Sequence, residues 1–407
     1  MASANQQVLY MLAEGTGGFA IVNNNDLLSG LEKIAKEQNE YYLIGYTPPE
    51  TAEGSCHTLR VKVGRGGLAV RSRSGYCNVK QVDLLAGKPV ERDLETRAAA
   101  DLPGTIKATL ETPFFYTAAH TARVNVALDI PTDSITFAKV KGRQHADLNI
   151  LGIAYRPDGA VAARFSDTAK LDFADKKELA AFTDKPFYHY ENQFDVAEGS
   201  YNLKVVFNSG ADEFGKVTAR LAVDPYDGKL LFISGIALSK ELRRVSEQDT
   251  ELDNALLEGR ARLVVQGMEI IPAGTHTFKK TDTAVCYFEV YEPALADAPP
   301  PAASPTRPAA DANPAMTADA AAKPADTAPP AIRVGMQYRV LDRKTGEAKT
   351  DTGMQEITSG AKPGSPVIAV GRKIPVDALA PGQYKAEFQV ADSTGRVVTR
   401  SVLFDVE

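Results

Sequence analysis

The sequence predicts a mainly β protein, in which two immunoglobulin-like β-sandwich domains follow a short α/β segment and a β-hairpin. Three observations favour this class. Alternating apolar runs recur between turn signals from about residue 100 onward. The second half of the chain repeats the pattern of the first. Only residues 1–47 mix helical and strand periodicities.

The bulk composition is typical of a globular protein. The 407 residues suffice for two or three domains. Apolar residues make up 44% of the chain, charged residues 24%, and the formal net charge is −6. This mild charge gives no reason to expect nucleic acid or an anionic membrane as a partner. No apolar run approaches the length of a transmembrane segment, so none is predicted.

The first 47 residues are predicted to form helices and strands in alternation. Residues 9–18 indicate the end of a helix closed by glycines, and residues 19–22 a short strand. A helix is predicted over Asp26–Glu37 and an apolar strand over 41–46. The apolar face of this helix comprises Leu27, Leu28, Leu31, Ile34 and Ala35.

Residues 56–77 are predicted to form a β-hairpin. If Gly66 and Gly67 form its two-residue turn, Cys56 lies opposite Cys77 at a non-hydrogen-bonded pair. Cα atoms of such pairs are about 4.5 Å apart, which fits a disulfide. The alternative is two unrelated thiols at the ends of the hairpin. A disulfide would indicate an oxidising compartment, with Cys286 left as the free thiol.

The same register predicts a basic patch on one face of the hairpin. Arg60 lies opposite Arg73, and Lys62 lies opposite Arg71. Like charges placed directly opposite each other destabilise a hairpin, so something must offset them. Water and the acids within residues 50–53 are one explanation. An anionic ligand or an acidic partner domain is the other.

Seven candidate strands over about 120 residues match the strand count of an immunoglobulin-like sandwich. We therefore predict a first sandwich domain over residues 100–225. The candidate strands are residues 105–111, 122–130, 146–155, 160–165, 187–194, 200–207 and 216–223.

The later part of the chain repeats three segments of the earlier part, which predicts a second sandwich domain of the same kind over residues 226–407. Two of these segments contain a Gly-x-Tyr motif that precedes an alternating apolar strand. The pairs are 122–131 with 285–294, 147–161 with 333–348, and 198–225 with 381–407.

Residues 293–331 form a Pro/Ala-rich segment. It holds 10 of the 24 prolines and no aromatic, Val or Ile residue, so it cannot bury a core and is predicted to be disordered. It could be a linker between separate domains. The repeats favour an insertion in a loop of one domain, because strands from both sides of it are needed for the second sandwich.

No catalytic, metal-binding or cofactor-binding motif emerges. The five histidines are scattered, and neither a Gly-x-Ser-x-Gly elbow nor a phosphate-binding loop occurs. His189, between two tyrosines, is predicted to lie on a sandwich surface. The acidic segments 212–215 and 224–228 could suggest calcium, but their spacing favours turns. We therefore expect no catalytic residue, no metal site and no cofactor.

The first 77 residues resemble the C-terminal end of the von Willebrand factor A-related proteins common in Acidobacteria. The matching stretches are LYMLAEGTGGFAIVNNNDLLSGLEKIAKEQNEYYLIGYTPP and CHTLRVKVGRGGLAVRSRSGYC. A complete A domain in that family is an α/β fold whose metal-dependent adhesion site uses an Asp-x-Ser-x-Ser motif. This chain has no such motif, so the metal site cannot be carried over.

The resemblance also implies that residues 1–80 are the C-terminal remnant of an A-like domain. The chain would then be a fragment of a longer gene product, or its start site has been placed too late. The N-terminus has no basic region followed by an apolar run, so no signal peptide is predicted in the chain as written.

The leading functional hypothesis is a non-enzymatic binding or scaffold protein on the extracytoplasmic side of a bacterium, with an unknown protein or surface ligand as partner. The predicted sandwiches, the predicted disulfide and the lack of a catalytic motif support it. One alternative is a hydrolase whose carboxylates meet only in the folded chain. Another is a non-functional gene fragment.

Overall fold

The structure is a computed structural model with two compact units, Met1–Val82 and Asp83–Glu407, here called the N-terminal unit and the β-rich unit. It describes residues 87–407 except 211–212, 246–260, 297–331 and 363. Before residue 87 it describes residues 10, 13, 16–21, 27–38, 42, 55–65 and 70–77.

The N-terminal unit contains helix α1 (Leu27–Gln38) and the strands β1 (Cys56–Thr58) and β2 (Gly75–Cys77), which pair antiparallel. The predicted helix is therefore confirmed. Its apolar face is not covered within this unit, because Leu28 and Leu31 are 67% and 62% exposed.

The strand predicted over 19–22 is wrong for its described residues, since residues 19–21 are irregular. An apolar strand needs neighbours to which it can hydrogen-bond. Within the described part of this unit, β1 and β2 are the only paired strands. The strand predicted over 41–46 lies outside the described residues apart from Tyr42, which is irregular and exposed.

The β-rich unit confirms the prediction of a mainly β protein. Its first half also contains two helices that the sequence interpretation missed, α2 (Pro89–Ala99) and α3 (Lys176–Thr183). The strands of this half are β3 (Thr109–Glu111), β4 (Phe114–Ala118), β5 (Thr121–Pro131), β6 (Ala138–Val140), β7 (Arg143–Tyr155), β8 (Val161–Phe173), β9 (Phe187–Ala197), β10 (Gly199–Asn208) and β11 (Gly215–Val223).

These strands form two sheets with one shared core. In one sheet, β5 pairs with β3 and β4 on one side and with β9 on the other. The other sheet has the order β8-β7-β10-β11, with β6 also on β7. Alternate residues of β5, such as Val126 and Leu128, pack in the same cluster as Ile150 of β7 and Val205 of β10. Residues two apart in a strand share a face, so these residues form the core face of each strand.

The second half repeats this arrangement with a second core. It consists of β12 (Phe232–Ile233), β13 (Ala237–Ser239), β14 (Glu241–Arg244), β15 (Val264–Val265), β16 (Met268–Ile271), β17 (Thr277–Phe278), β18 (Ala284–Tyr291), β19 (Val334–Asp342), β20 (Ala348–Glu356), β21 (Val367–Ile374), β22 (Gly382–Asp392) and β23 (Val397–Val406). The core includes Phe288, Phe388 and Phe404, each 0–1% exposed.

The order β20-β19-β22-β23 matches β8-β7-β10-β11, and the pair β18–β21 matches β5–β9. The three segment pairs that the sequence aligns therefore lie on equivalent strands. Strand β20 ends its sheet, and nearly all of its residues are exposed. The immunoglobulin-like topology and the domain bounds 100–225 and 226–407 remain predictions.

The Gly-x-Tyr motif makes the same contact in both halves. The hydroxyl of Tyr201 donates to the carbonyl of Ala197, and that of Tyr384 donates to the carbonyl of Ala380, each at 2.8 Å. Both bonds tie the start of a strand to the backbone four residues upstream. The repeat in the sequence thus reflects a repeated way of fixing the entry to β10 and β22.

The Pro/Ala-rich segment joins two strands of the second half. β18, before it, pairs over its full length with β21, and β19, after it, pairs with β22. Residues from both sides of the segment lie in one core. Pro293–Leu295 form a 3₁₀ helix capped by Glu292. The predicted disorder otherwise lies outside the described residues.

The two halves of the β-rich unit meet at an aromatic cluster. Tyr116, Tyr226, Phe232 and Tyr291 have ring centroids 4.8–5.6 Å apart. The backbone N–H of Tyr116 donates to the hydroxyl of Tyr291 at 2.8 Å. None of the described helices has the length and apolar character that a membrane crossing needs.

Candidate functional site

The hairpin has the register that the sequence predicts. Cys56 pairs with Cys77 and His57 with Tyr76, whose rings stack with centroids 5.1 Å apart. The N–H of Leu59 donates to the carbonyl of Ser74 at 2.9 Å. Because bonded and non-bonded pairs alternate, this bond makes Cys56 and Cys77 a non-hydrogen-bonded pair.

The backbone register is thus confirmed, whereas the disulfide remains a prediction. The side chain of Cys77 lies outside what the structure describes. Cys286 is a free and fully buried thiol, and burial raises its pKa to about 12. A thiol with so high a pKa is unreactive at neutral pH.

Three of the four predicted patch residues line one groove of about 410 Å³ in the N-terminal unit. Arg60, Arg71 and Arg73 contribute its charges, and none of its described lining residues is acidic. We call this site the hairpin groove. Lys62 is exposed but does not line it. Regular strand pairing ends at Thr58 and Gly75. The like-charged residues that the register places opposite each other therefore do not lie in paired strands.

The remaining wall of the hairpin groove comes from the turn at Gly17, whose φ is +77°. A Cβ atom there would lie 2.4 Å from the backbone carbon of Ser72, so only glycine allows the turn to approach the hairpin this closely. The turn at Gly17 therefore packs directly against the hairpin backbone.

Phe19 follows this turn and orients one arginine of the groove. Its ring lies 4.8 Å from the guanidinium of Arg71 and 4.4 Å from the ammonium of Lys33. Such cation–π contacts contribute about 0.5–1 kcal/mol at exposed sites. The chain that carries Phe19 is irregular, yet its side chain helps to fix the charge on the hairpin.

A second cluster of polar residues lies on the outer face of the sheet around β5. We call it the polar layer. Its described members are Glu111, Asn125, Asp129, His189, Glu191 and Gln193, which the strand registers place on one face. Residues 261–276 cover this face, and Gly274 donates its N–H to Asp129 at 3.1 Å. Asn125, Asp129 and Gln193 are consequently only 7–9% exposed.

His189 lies between two carboxylates of the polar layer. Its Nδ1 is 2.6 Å from Asp129 and its Nε2 is 3.3 Å from Glu191. Burial lowers the pKa of His189, but these two hydrogen bonds outweigh burial together and raise the pKa to about 9. His189 is therefore protonated at neutral pH, and on the outer face of the sheet it links β9 to Asp129 of β5.

Glu111 and His276 form a second contact across the polar layer, with Oε2 and Nε2 3.3 Å apart. Burial raises the pKa of Glu111 to about 7 and lowers the pKa of His276 to about 4. Between about pH 4 and pH 7, the carboxyl of Glu111 is largely protonated and the imidazole of His276 is largely neutral. The contact then joins two uncharged side chains.

Within the described residues, no group of three or more His, Cys, Asp or Glu side chains is arranged to hold a metal ion. Two acidic segments were considered for calcium, 212–215 and 224–228. In the segment 224–228, Asp224 accepts a hydrogen bond from Arg400, and Asp227 accepts one from the backbone of Lys229. These contacts are those of structural turns. Part of the other turn, residue 212, lies outside the described residues.

No protein family matches the chain by sequence, and no curated protein matches it either. Solved structures similar to part of this chain include three glycosidase structures. Two are β-glucuronidases of Bacteroides uniformis, one of them covalently bound to cyclophellitol-6-carboxylate aziridine. They are 12% and 14% identical, each covers 31% of this chain, and the TM-scores are 0.20 and 0.21.

The third is a putative β-galactosidase from Bacteroides fragilis, 12% identical over 31% of this chain, with a TM-score of 0.21. The chain covers only 13% of each β-glucuronidase and 17% of the β-galactosidase. At these scores the likeness carries no argument about what this protein does.

Proposed function

We propose that this chain is a non-enzymatic binding or scaffold protein of the extracytoplasmic side, and that the hairpin groove takes an acidic segment of a partner protein. The observation that carries this proposal is the convergence of Arg60, Arg71 and Arg73 on one groove. Guanidinium groups form paired hydrogen bonds with carboxylates, so several of them in one groove suit an acidic peptide.

The proposed extracytoplasmic location and the proposed binding role each rest on one further point. The register that pairs Cys56 with Cys77 fits a disulfide, which persists in oxidising compartments. The N-terminal residues also resemble von Willebrand factor A-related proteins, which supports a role in adhesion or assembly. The β-rich unit would then serve as a scaffold.

A hydrolase is the competing proposal, and its best candidates are two carboxylates of the β-rich unit, Glu191 and Glu269, which line one cleft. Glu269 lies 3.5 Å from Arg262, and Glu191 lies 3.3 Å from His189. These contacts occupy both carboxylates with cationic partners, which weighs against their use as the catalytic pair of a glycosidase.

The groove proposal predicts that a short fluorescent poly-glutamate peptide binds the full chain and is released by salt. Replacing Arg60→Gln and Arg73→Gln together should weaken binding about tenfold, if each exposed charge contributes about 0.7 kcal/mol. Fluorescence anisotropy at increasing ionic strength measures both effects.

The matched control is Arg143→Gln with Arg156→Gln, two exposed arginines of the β-rich unit that make the same change in net charge. It should leave the affinity unchanged. Equal losses in both double variants would mean that the peptide responds to overall charge, and the groove proposal would then be rejected.

A further inference from the structure

The chain that returns from the Pro/Ala-rich segment re-enters the β-rich unit beside the turn that follows β22. Asp392, the last residue of β22, pairs with Val334, the first residue of β19. The N–H of Arg333 donates to Oγ of Ser393 at 3.2 Å, and the N–H of Ser393 donates to the carbonyl of Arg333 at 2.8 Å. The returning chain is therefore held to this turn through its backbone.

The outgoing chain contacts the same turn through a side chain. Glu292 directly follows β18 and is only 2% exposed. Its Oε1 accepts from the N–H of Ala294 at 3.1 Å and so caps the 3₁₀ helix Pro293–Leu295, with which the segment begins. The carboxyl of Glu292 also lies within hydrogen-bonding distance of the carboxyl of Asp392, which is 7% exposed. We call these two side chains the carboxyl pair.

The oxygens of the carboxyl pair have unequal access to hydrogen-bond donors. Oδ1 of Asp392 accepts from the N–H and the hydroxyl of Thr394, at 2.8 and 2.7 Å, and from the N–H of Arg396 at 3.0 Å. Oε2 of Glu292 is buried and accepts no hydrogen bond from a donor in the described part of the chain. Buried polar atoms are nearly always hydrogen-bonded in folded proteins.

A proton held between the two carboxyls would meet this need. Ionised carboxylates only accept hydrogen bonds, so Glu292 and Asp392 can bond to each other only if one of them is protonated. Two adjacent negative charges in a buried site also repel each other. Both costs disappear when the pair shares a single proton.

The surroundings assign this proton to Glu292. Burial raises the pKa of Glu292, and the charge and hydrogen bond of Asp392 add to the rise, while the N–H of Ala294 and the charge of Arg396 oppose it. Burial acts on Asp392 in the same direction, but the hydrogen bonds from Thr394 and Arg396 outweigh burial and lower the pKa of Asp392. Opposite shifts of this kind separate the proton donor of a carboxyl pair from the acceptor.

Two further groups interact electrostatically with Glu292. Arg396 carries a permanent positive charge and favours the ionised form of both carboxyls. Tyr226 stays neutral near physiological pH, because burial, and then the charges of Asp227 and Glu292, raise its pKa to about 12. Neither group supplies the proton.

We propose that the carboxyl pair shares one proton that fastens the start of the Pro/Ala-rich segment to the end of β22, and that loss of this proton releases the 3₁₀ helix Pro293–Leu295. This helix buries Leu295 in the second core, at 7% exposure, so its release uncovers that part of the core. The device is separate from the hairpin groove and does not depend on the function proposed for it.

The direction of the pH effect follows from the raised pKa of Glu292. The usual value, which applies to the unfolded chain, is 4.5. The contribution of Glu292 to stability is therefore complete below about pH 4.5 and is lost as the pH rises through its higher pKa in the folded protein. Asp392, whose pKa is lowered, loses its contribution only below its usual value of 3.8 and so contributes throughout this range.

Hydrogen exchange of the full chain, followed by mass spectrometry of peptic fragments, tests the proposal. The protection factor of residues 292–296 should fall several-fold between about pH 5 and about pH 8, relative to that of a reference fragment from β10. A constant ratio of the two protection factors would overturn the proposal without the use of any variant.

Glu292→Gln should lock the fastening, because the amide keeps the shape of the protonated acid and always supplies a donor to Asp392. At about pH 8, residues 292–296 of this variant should be several-fold better protected than in the parent. Glu356→Gln makes the same change at an exposed position of β20 and should behave as the parent does. Loss of the pH dependence in both variants, or in neither, would reject the carboxyl pair as its cause.

A bound divalent cation could also join two carboxylates. Millimolar calcium chloride, added to the parent at about pH 8, should leave the protection of residues 292–296 unchanged if a proton fills this place. Restored protection would show that the pair holds a metal ion and would overturn the proposal.

Discussion

At the scale of single residues, the polar layer shows how much a side chain depends on what covers it. His189 occupies a strand position that alternates with tyrosines, which alone predicts a solvated surface residue. The cover of residues 261–276 turns that surface into an interface and leaves His189 beside Asp129 and Glu191. These two contacts then raise the pKa of His189 and keep it protonated at neutral pH.

The first residue-scale prediction concerns pH. The pKa of His189 is about 9 in the folded protein and about 6.5 in the unfolded chain. Its contribution to the free energy of unfolding is therefore complete below about pH 6.5 and is lost as the pH rises to about 9. His189→Gln should destabilise the protein by about 2 kcal/mol at pH 6 and by much less at pH 9.5.

Urea unfolding at the two pH values measures this difference. His120→Gln is the matched control, because His120 also contacts one carboxylate, Glu198, but is 60% exposed. Its effect should be small at both pH values. If the two variants showed the same pH dependence, the buried bridge at His189 could not be its cause.

The sequence could predict part of each site at this scale. The positions of Cys56, Cys77 and the glycine pair between them predict the hairpin register, since turn geometry and side-chain alternation act locally. The hydrogen bonds of the Gln193 amide could not be predicted, because they join it to Asn125 and to the backbone of Ala261, far away in the chain.

At the scale of elements, local signals succeed where local contacts dominate. Helix α3 has a capping signature: the carboxylate of Asp175 accepts from the N–H groups of Lys177 and Glu178, and Glu178 accepts from Ala174. The sequence interpretation missed this helix because strand patterns surround it. The strand predicted over 19–22 is wrong for its described residues, since apolar residues alone do not supply a pairing partner.

The hairpin supplies the element-scale prediction. A Cys56–Cys77 disulfide would close a loop of about 20 residues and stabilise the folded hairpin by on the order of 3 kcal/mol. Non-reducing peptide mapping of protein exported to the periplasm should find these two cysteines joined and Cys286 free. Recovery of Cys56 and Cys77 as free thiols from that compartment would disprove the bond.

At the scale of the whole molecule, the β-rich unit uses one strand order twice. The order β8-β7-β10-β11 recurs as β20-β19-β22-β23, and the Pro/Ala-rich segment occupies the connection that corresponds to the one between β5 and β7. The weak sequence repeats predicted this equivalence because they fall on paired strands. Contacts between the two halves such as Tyr116–Tyr291 and Asp224–Arg400 could not be predicted, since they join residues more than a hundred positions apart.

This topology predicts the result of cutting the chain within 297–331. The two pieces should stay associated, because β18 pairs with β21 and both sides of the cut contribute to one core. A protease site introduced into that segment, followed by gel filtration under native conditions, tests this. Elution as two separate folded pieces would identify the segment as a linker between independent domains.

The exposed strand β20 has a consequence for how the protein behaves in a crowded solution. A sheet edge offers unpaired backbone groups on which another chain can add a strand and start aggregation. Two register shifts against β19 and the charged side chains of Lys349 and Asp351 interrupt that template. These residues thus oppose unwanted association, although none of them contributes to a core.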